Sequence, residues 1–262
     1  MEINHLSTPW HRIISLSCFL FLWLLWSLPP ARATLISLDD YEGNFVSLDL
    51  DITGVFRSPT VGPPLSAAWY QPTGSAKAYL VLGLDGQAAR VVVPQGSSLD
   101  YIENLGGPYG NKIFWITWDI VVTETNGGWG MFFIRFPTAD NSMQILFGFL
   151  DDGRLIRFSG PPAVDTLVPV GTFQAGKRYT VRFEYDLVSR CFSASLNGVR
   201  VVNREPIPPH FNVNAIDKFG FDINQKINLP DHPPAQGNMY YVDNIRFEEP
   251  ELTYLPLVLT GH

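Results

Sequence analysis

The chain has 262 residues, 18 of them basic and 25 acidic, for a net charge of −7 at pH 7. An acidic chain with scattered Lys and Arg argues against nucleic acid and anionic membrane as partners. Its length suits one large β domain, since sandwiches and barrels of roughly 200–250 residues fold as single units.

The first segment stands apart from the fold. His11-Arg12 precedes an apolar run from Ile13 to Leu28, Pro29-Pro30 breaks it, and Ala31-Arg32-Ala33 supplies the small residues a signal peptidase prefers. The run is shorter than the ~20 apolar residues of a spanning helix. The expectation is a signal peptide over 1–33 that is removed on export. That makes the protein secreted or cell-surface, with no membrane insertion after cleavage. The mature chain then begins at Thr34, with 16 basic and 24 acidic residues. Cys18 leaves with the signal, so Cys191 has no internal partner and is expected to pack as a small apolar group.

From there almost every segment reads as strand, then turn. Leu35 to Asp40 is a short apolar start ending in acids and Asp39 to Gly43 reads as a turn, after which Val46, Leu48, Leu50 and Ile52 alternate with polar neighbours. Ser58 to Pro64 is a Pro/Gly loop. Lys77 to Leu84 and Ala88 to Val93 read as a hairpin through Asp85-Gly86, and Pro94 to Asn111 as a long loop. Ile113 to Thr123 is the strongest central strand, with Trp118 on its wholly apolar face. Asn126-Gly127-Gly128 turns the chain into Trp129 to Phe136. Met143 to Leu150, Arg154 to Phe158 and Leu167 to Phe173 follow.

The stretch Lys177 to Asn203 organises the rest. Tyr179, Val181, Phe183 and Tyr185 alternate with Thr180, Arg182, Glu184 and Asp186, the period of a strand with one face buried. Asn197-Gly198 then tolerates the positive φ angles of a type I′ turn. Phe219, Phe221 and Ile223 mark another strand, and Met239 to Phe247 is the closing one. The tail 251–262 is too short to span a bilayer and is read as an edge-pairing or sorting segment. No convincing helical period appears. The pattern predicts an all-β fold, an antiparallel two-sheet β-sandwich forming one domain over 34–250.

Two resemblances follow from particular residues. Gly176-Lys-Arg-Tyr-Thr-Val-Arg-Phe, Phe192-Ser-Ala-Ser-Leu-Asn-Gly and the closing Tyr240-Tyr-Val-Asp-Asn-Ile-Arg-Phe resemble the late hairpin and last strand of concanavalin A-like lectin/glucanase and laminin-G-like domains. That superfamily implies a jelly roll. Asp39-Asp-Tyr-Glu paired with Val242-Asp-Asn-Ile is similar to the ends of galactose-binding-like carbohydrate modules, also jelly rolls. That likeness implies a structural Ca2+ site with Asp40, Glu42 and Asp243 as oxygen ligands.

A catalytic reading needs converging groups. Glu184-x-Asp186 resembles the start of the Glu-x-Asp-x-x-Glu motif of jelly-roll glucanases, but Ser189 stands where the last carboxylate belongs, so no catalytic residue is assigned. No nucleophile elbow, zinc motif or phosphate loop accompanies it. A binding reading rests on rings near loops, because a sugar lays its apolar face on an aromatic ring while polar groups fix its hydroxyls. Trp129, Trp69, Tyr70, Tyr101, Tyr109 and Asn126 are the candidates, with Asn104 and Asp151 as further polar contacts. The sequence thus points to an exported, non-catalytic domain that binds polysaccharide or cell-surface glycan, or serves adhesion. The alternatives are a polysaccharide hydrolase or lyase of the same fold and a structural surface domain without ligand.

Overall fold

The computed structural model describes residues 33–42, 50–62, 67–128, 130–137, 143–159, 166–208, 215–225 and 234–251. The signal-like segment to residue 32, Trp129, the first part of the 46–52 alternation and the tail from residue 252 lie outside them. Sixteen strands follow in order: β1 (Ala33–Asp39), β2 (Leu50–Asp51), β3 (Ala67–Thr73), β4 (Lys77–Gly83), β5 (Gly86–Pro94), β6 (Ser98–Gly110), β7 (Ile113–Val122) and β8 (Met131–Pro137) in the first half. The second half holds β9 (Met143–Leu150), β10 (Arg154–Ser159), β11 (Thr166–Thr172), β12 (Arg178–Asp186), β13 (Cys191–Leu196), β14 (Val199–Pro206), β15 (Ala215–Asn224) and β16 (Gly237–Pro250). No helix occurs among the described residues.

These strands make an antiparallel two-sheet β-sandwich of jelly-roll type. The larger sheet runs β14-β13-β12-β7-β16-β5-β4-β2, with β1 joined to β16; the smaller runs β11-β10-β9-β8-β15-β6-β3. The alternation along Lys177 to Asn203 sets the larger sheet's register. Phe183 pairs with Ile116 on one side and Ala194 on the other, all three on the buried face. Asn197 and Gly198 take φ of 47° and 80°, so β13 returns as β14 through the expected tight turn. Trp118 is buried, its ring 5.1 Å from Phe221 of the facing sheet. Stacked rings continue through the core, as with Phe136 on Tyr185 at 4.5 Å. Burial of these inner faces is the main stabilising term, at about 25 cal/mol per Å² of apolar surface removed from water.

One expectation fails. Residues 98–110 form the long strand β6, not a loop. Leu99, Tyr101, Glu103 and Leu105 are its buried side, and a charged residue in the third position masks the apolar alternation.

Candidate functional site

The outer face of the larger sheet carries the chemistry. Alternation sends Trp115, Thr117, Asp119 and Val121 of β7 away from the core, along with Arg178, Thr180, Arg182 and Glu184 of β12 and Tyr241, Asp243, Arg246 and Glu248 of β16. Register aligns them into rows. Arg246, Thr117, Arg182 and Ser195 lie side by side across four strands, and Glu248, Trp115, Glu184 and Ser193 form the next row. A third row joins Tyr79, Arg90, Tyr241, Val121 and Arg178.

Within these rows, charge is matched locally. The Arg182 guanidinium lies 3.4 Å from the centre of the half-buried Trp115 ring, and Arg200 donates to both oxygens of Glu184 at 2.7 and 3.1 Å. Arg204 lies 3.6 Å from Asp186, which also caps the amide of Ser189. The glucanase-like carboxylates are therefore spent on neighbouring arginines and a turn. Cys191 is buried beside Asp186, with Sγ 3.8 Å from Oδ2, and burial pushes its thiol up, away from the reactive thiolate. Arg246 is exposed and forms no ion pair among the described residues. Arg90 lies 5.2 Å from the Tyr79 ring. Tyr241 lies over Gly83, where an added Cβ would sit 3.4 Å from its ring.

Two carboxyls face each other on this side of the sheet. Asp119 accepts from Arg178 Nη2 at 2.6 Å, Thr180 Oγ1 at 2.5 Å and Asn244 Nδ2 at 2.9 Å. Asp243, opposite it across the β7–β16 register, has only the Asn244 amide groups, the side-chain one at 3.3 Å. Burial first, then the charges of Asp119 and Glu42, push Asp243 up to about 7. Glycosidic cleavage also uses a pair of carboxyl groups. Here, however, Asp119 is 5% exposed and Asp243 3% exposed, which denies a sugar ring access. The pair arises at a bulge: Asn244 takes φ of 52°, and the register slips between Asp243 and Arg246.

The sequence candidates are dispersed. Trp69 and Tyr101 are fully buried, their rings 5.1 Å apart, so they pack the core and cannot meet a ligand. Tyr109 packs against the core beside Phe114 and Phe247. Asn126 shapes its turn, donating to Gly237 O at 2.6 Å and accepting from Gly128 N at 3.3 Å. Asp151 is buried and accepts from Tyr240 and Gln225, each at 2.8 Å. Tyr70 remains half-exposed, edge-on to the exposed Phe56 at 5.7 Å.

Of the residues the resemblance assigned to calcium, Asp40 accepts from the Thr60 hydroxyl at 2.5 Å and the Glu42 amide, Glu42 accepts from Gln87 N at 2.7 Å, and Asp243 lies within electrostatic reach of Asp119, Arg178 and Glu42. Among the described residues no group of three or more His, Cys, Asp or Glu could hold a metal ion. The residues that sequence reasoning missed are Trp115, Tyr241 and Arg246. The apolar face of Ile113 to Thr123 was legible, but nothing local singled out its other side or the outward residues of the closing strand.

The fold now meets its likenesses. It is similar to a sialidase, at 15% identity and TM-score 0.55 over 82% of this chain and 18% of the sialidase. It is also similar to the cellulose induced protein Cip1, at 11% identity and TM-score 0.56 over 80% of this chain and 95% of that one. A marine PL-14 alginate lyase from Aplysia kurodai follows, at 10% identity and TM-score 0.50 over 66% and 87%. At these identities the likeness is one of fold. No family model and no curated protein matches the chain.

Proposed function

We propose that this is an exported, non-catalytic module that binds a neutral glycan chain on the outer face of its larger sheet. The observation that carries the reading is the set of rows around Trp115. Rings at Trp115, Tyr79 and Tyr241 are interleaved with guanidinium and hydroxyl donors across strands spaced about 4.8 Å apart. That is a flat, polar, aromatic platform suited to an extended polymer. A neutral polymer suits it because Arg178, Arg182 and Arg200 pair with acids of the same face, leaving Arg246 as an isolated cation among the described residues, and the whole chain is acidic, so little positive field is left to hold a polyanion. Arg246 and Arg182 lie about two strand spacings apart on either side of Thr117, roughly 10 Å, and offer donors to sugar hydroxyls. Two of the similar structures carry names that refer to carbohydrate polymers, which supports the class of ligand and says nothing of this site.

Affinity electrophoresis of the mature protein through gels containing xylan, mannan, hydroxyethyl cellulose or alginate tests this. Retardation by a neutral polymer is expected, insensitive to salt. Trp115→Ala and Tyr241→Ala each weaken it about five- to tenfold, the worth of roughly 1 kcal/mol per ring. Retardation by alginate alone, abolished by salt, contradicts the reading. So does neutral binding that both variants leave unchanged.

A further inference from the structure

Strand β1 is held to the core by polar groups. Of its seven residues only Ser37 and Asp39 are buried. Both enter one sealed cluster with Tyr101 and Glu103 of β6 and with Arg57, whose backbone bridges to Ala67 at the start of β3; no member is more than 6% exposed. Arg57 donates from Nη1 and Nη2 to the two oxygens of Asp39, at 2.8 and 2.5 Å. The Tyr101 hydroxyl lies 2.9 Å from Asp39 Oδ2 and 2.8 Å from Glu103 Oε2. The Ser37 hydroxyl donates to Glu103 Oε1.

A count of protons decides the state of this cluster. Tyr101 has one hydroxyl hydrogen and two carboxyl neighbours. If both carboxyls are ionised, one of its two short contacts holds a pair of oxygens with no hydrogen between them. A proton on Glu103 Oε2 removes the conflict. It is donated to the Tyr101 oxygen, Tyr101 donates its own to Asp39, and Arg57 neutralises Asp39. The sealed site then holds one cation and one anion, which a low-dielectric interior tolerates far better than a surplus charge. Among the described residues no further charged group acts on Glu103. Tyr41 lies under the Arg57 guanidinium at 4.3 Å and accepts from Trp69 Nε1 at 3.3 Å. The residues opposite Glu103 are Ala67 on β3 and Phe219 on β15, and Lys218 falls on the other face of β15.

We propose that Glu103 is kept as a neutral acid at physiological pH, and that the relay Glu103–Tyr101–Asp39–Arg57 is a proton-dependent latch that fastens β1 and the Arg57 segment to the core. Burial, then the charge of Asp39, push the Glu103 carboxyl up to about 8, in agreement with the proton count. Because the folded state holds this proton more tightly than the open state, the latch is strongest below about pH 4.5. It weakens as pH rises from there to about 8 and changes no further beyond.

Hydrogen exchange of the full chain between pH 5 and 8, corrected for intrinsic rates, tests the latch against Glu103→Gln. The glutamine amide can donate to Tyr101 as the protonated acid does. In the wild type the open population of residues 34–39 should rise about tenfold per pH unit, the signature of one proton; in the variant it should stay constant. A flat wild-type profile, or an equal slope in the variant, overturns the latch. Infrared spectroscopy of the wild type gives a readout independent of the variant's folding. A protonated-carboxyl component should persist at pH 7 and fade only as pH passes about 8, above the titration of the raised Asp243 carboxyl, and absence of that component overturns the proposal.

Discussion

Two regions of the molecule share a plan: one arginine, one carboxylate that it neutralises, and a second carboxyl without a cation of its own. In the core these are Arg57, Asp39 and Glu103; on the outer face of the larger sheet they are Arg178, Asp119 and Asp243. The difference lies in what surrounds them. The core cluster is sealed, with hydroxyls as its only additional side-chain donors among the described residues. At the outer face Arg178 is one-third exposed and also pairs with Asp85, while Asn244 supplies amide donors to both carboxyls. The same three groups therefore act as a structural latch where all are sealed and as a charge network on the sheet face where the arginine reaches solvent.

The largest expected effect breaks the core version. Arg57→Met leaves Asp39 as an uncompensated buried charge and should cost about 3–5 kcal/mol in chemical denaturation. Arg178→Met should cost about 1 kcal/mol or less, since Asp119 keeps Thr180 and Asn244 and the pair is partly solvated. Equal costs would erase the distinction between the regions. Next comes Glu103→Gln, which should remove Glu103's share of the loss of stability with rising pH between about 4.5 and 8, seen as a melting temperature that falls less steeply than the wild type's over that range. The smallest effect is at Asp243. Its carboxyl is also raised, to about 7, so the folded state again gains from its proton and loses that gain as pH rises toward 7. Asp243→Asn should raise the melting temperature by a few degrees at pH 8 and leave it unchanged near pH 3. A rise at both values would point to packing rather than charge.

The sequence and the structure agree where period and turn chemistry act together. Tyr179 to Tyr185, the Asn197-Gly198 turn and the core placement of Trp118 could all be read from residues alone, because each follows from short-range geometry and one-sided burial. Strand β6 was missed because its buried side carries Glu103, and a charged residue in an inward position reads as a loop until Tyr101, Ser37 and Asp39 are seen to serve it. The ligand-contact expectations at Trp69 and Tyr101 failed for a related reason. Aromatic identity says that a ring is worth burying, and only pairing across the sheets says on which side it falls. The Asp85-Gly86 hairpin already pairs β4 with β5 and so places Tyr79 beside Arg90, but the pairings of β16 with β5 and β7, which set Tyr241 between Arg90 and Val121, are encoded by no local pattern.

The most direct test of the binding platform is amide chemical-shift mapping of the labelled mature protein, titrated with xylan- and cellulose-derived oligosaccharides. The account predicts saturable shifts concentrated at residues 79, 90, 115–119, 180–184 and 241–248. Shifts confined instead to the Tyr70–Phe56 edge or the turn at Asn126, with the outer face of the larger sheet silent, would contradict it.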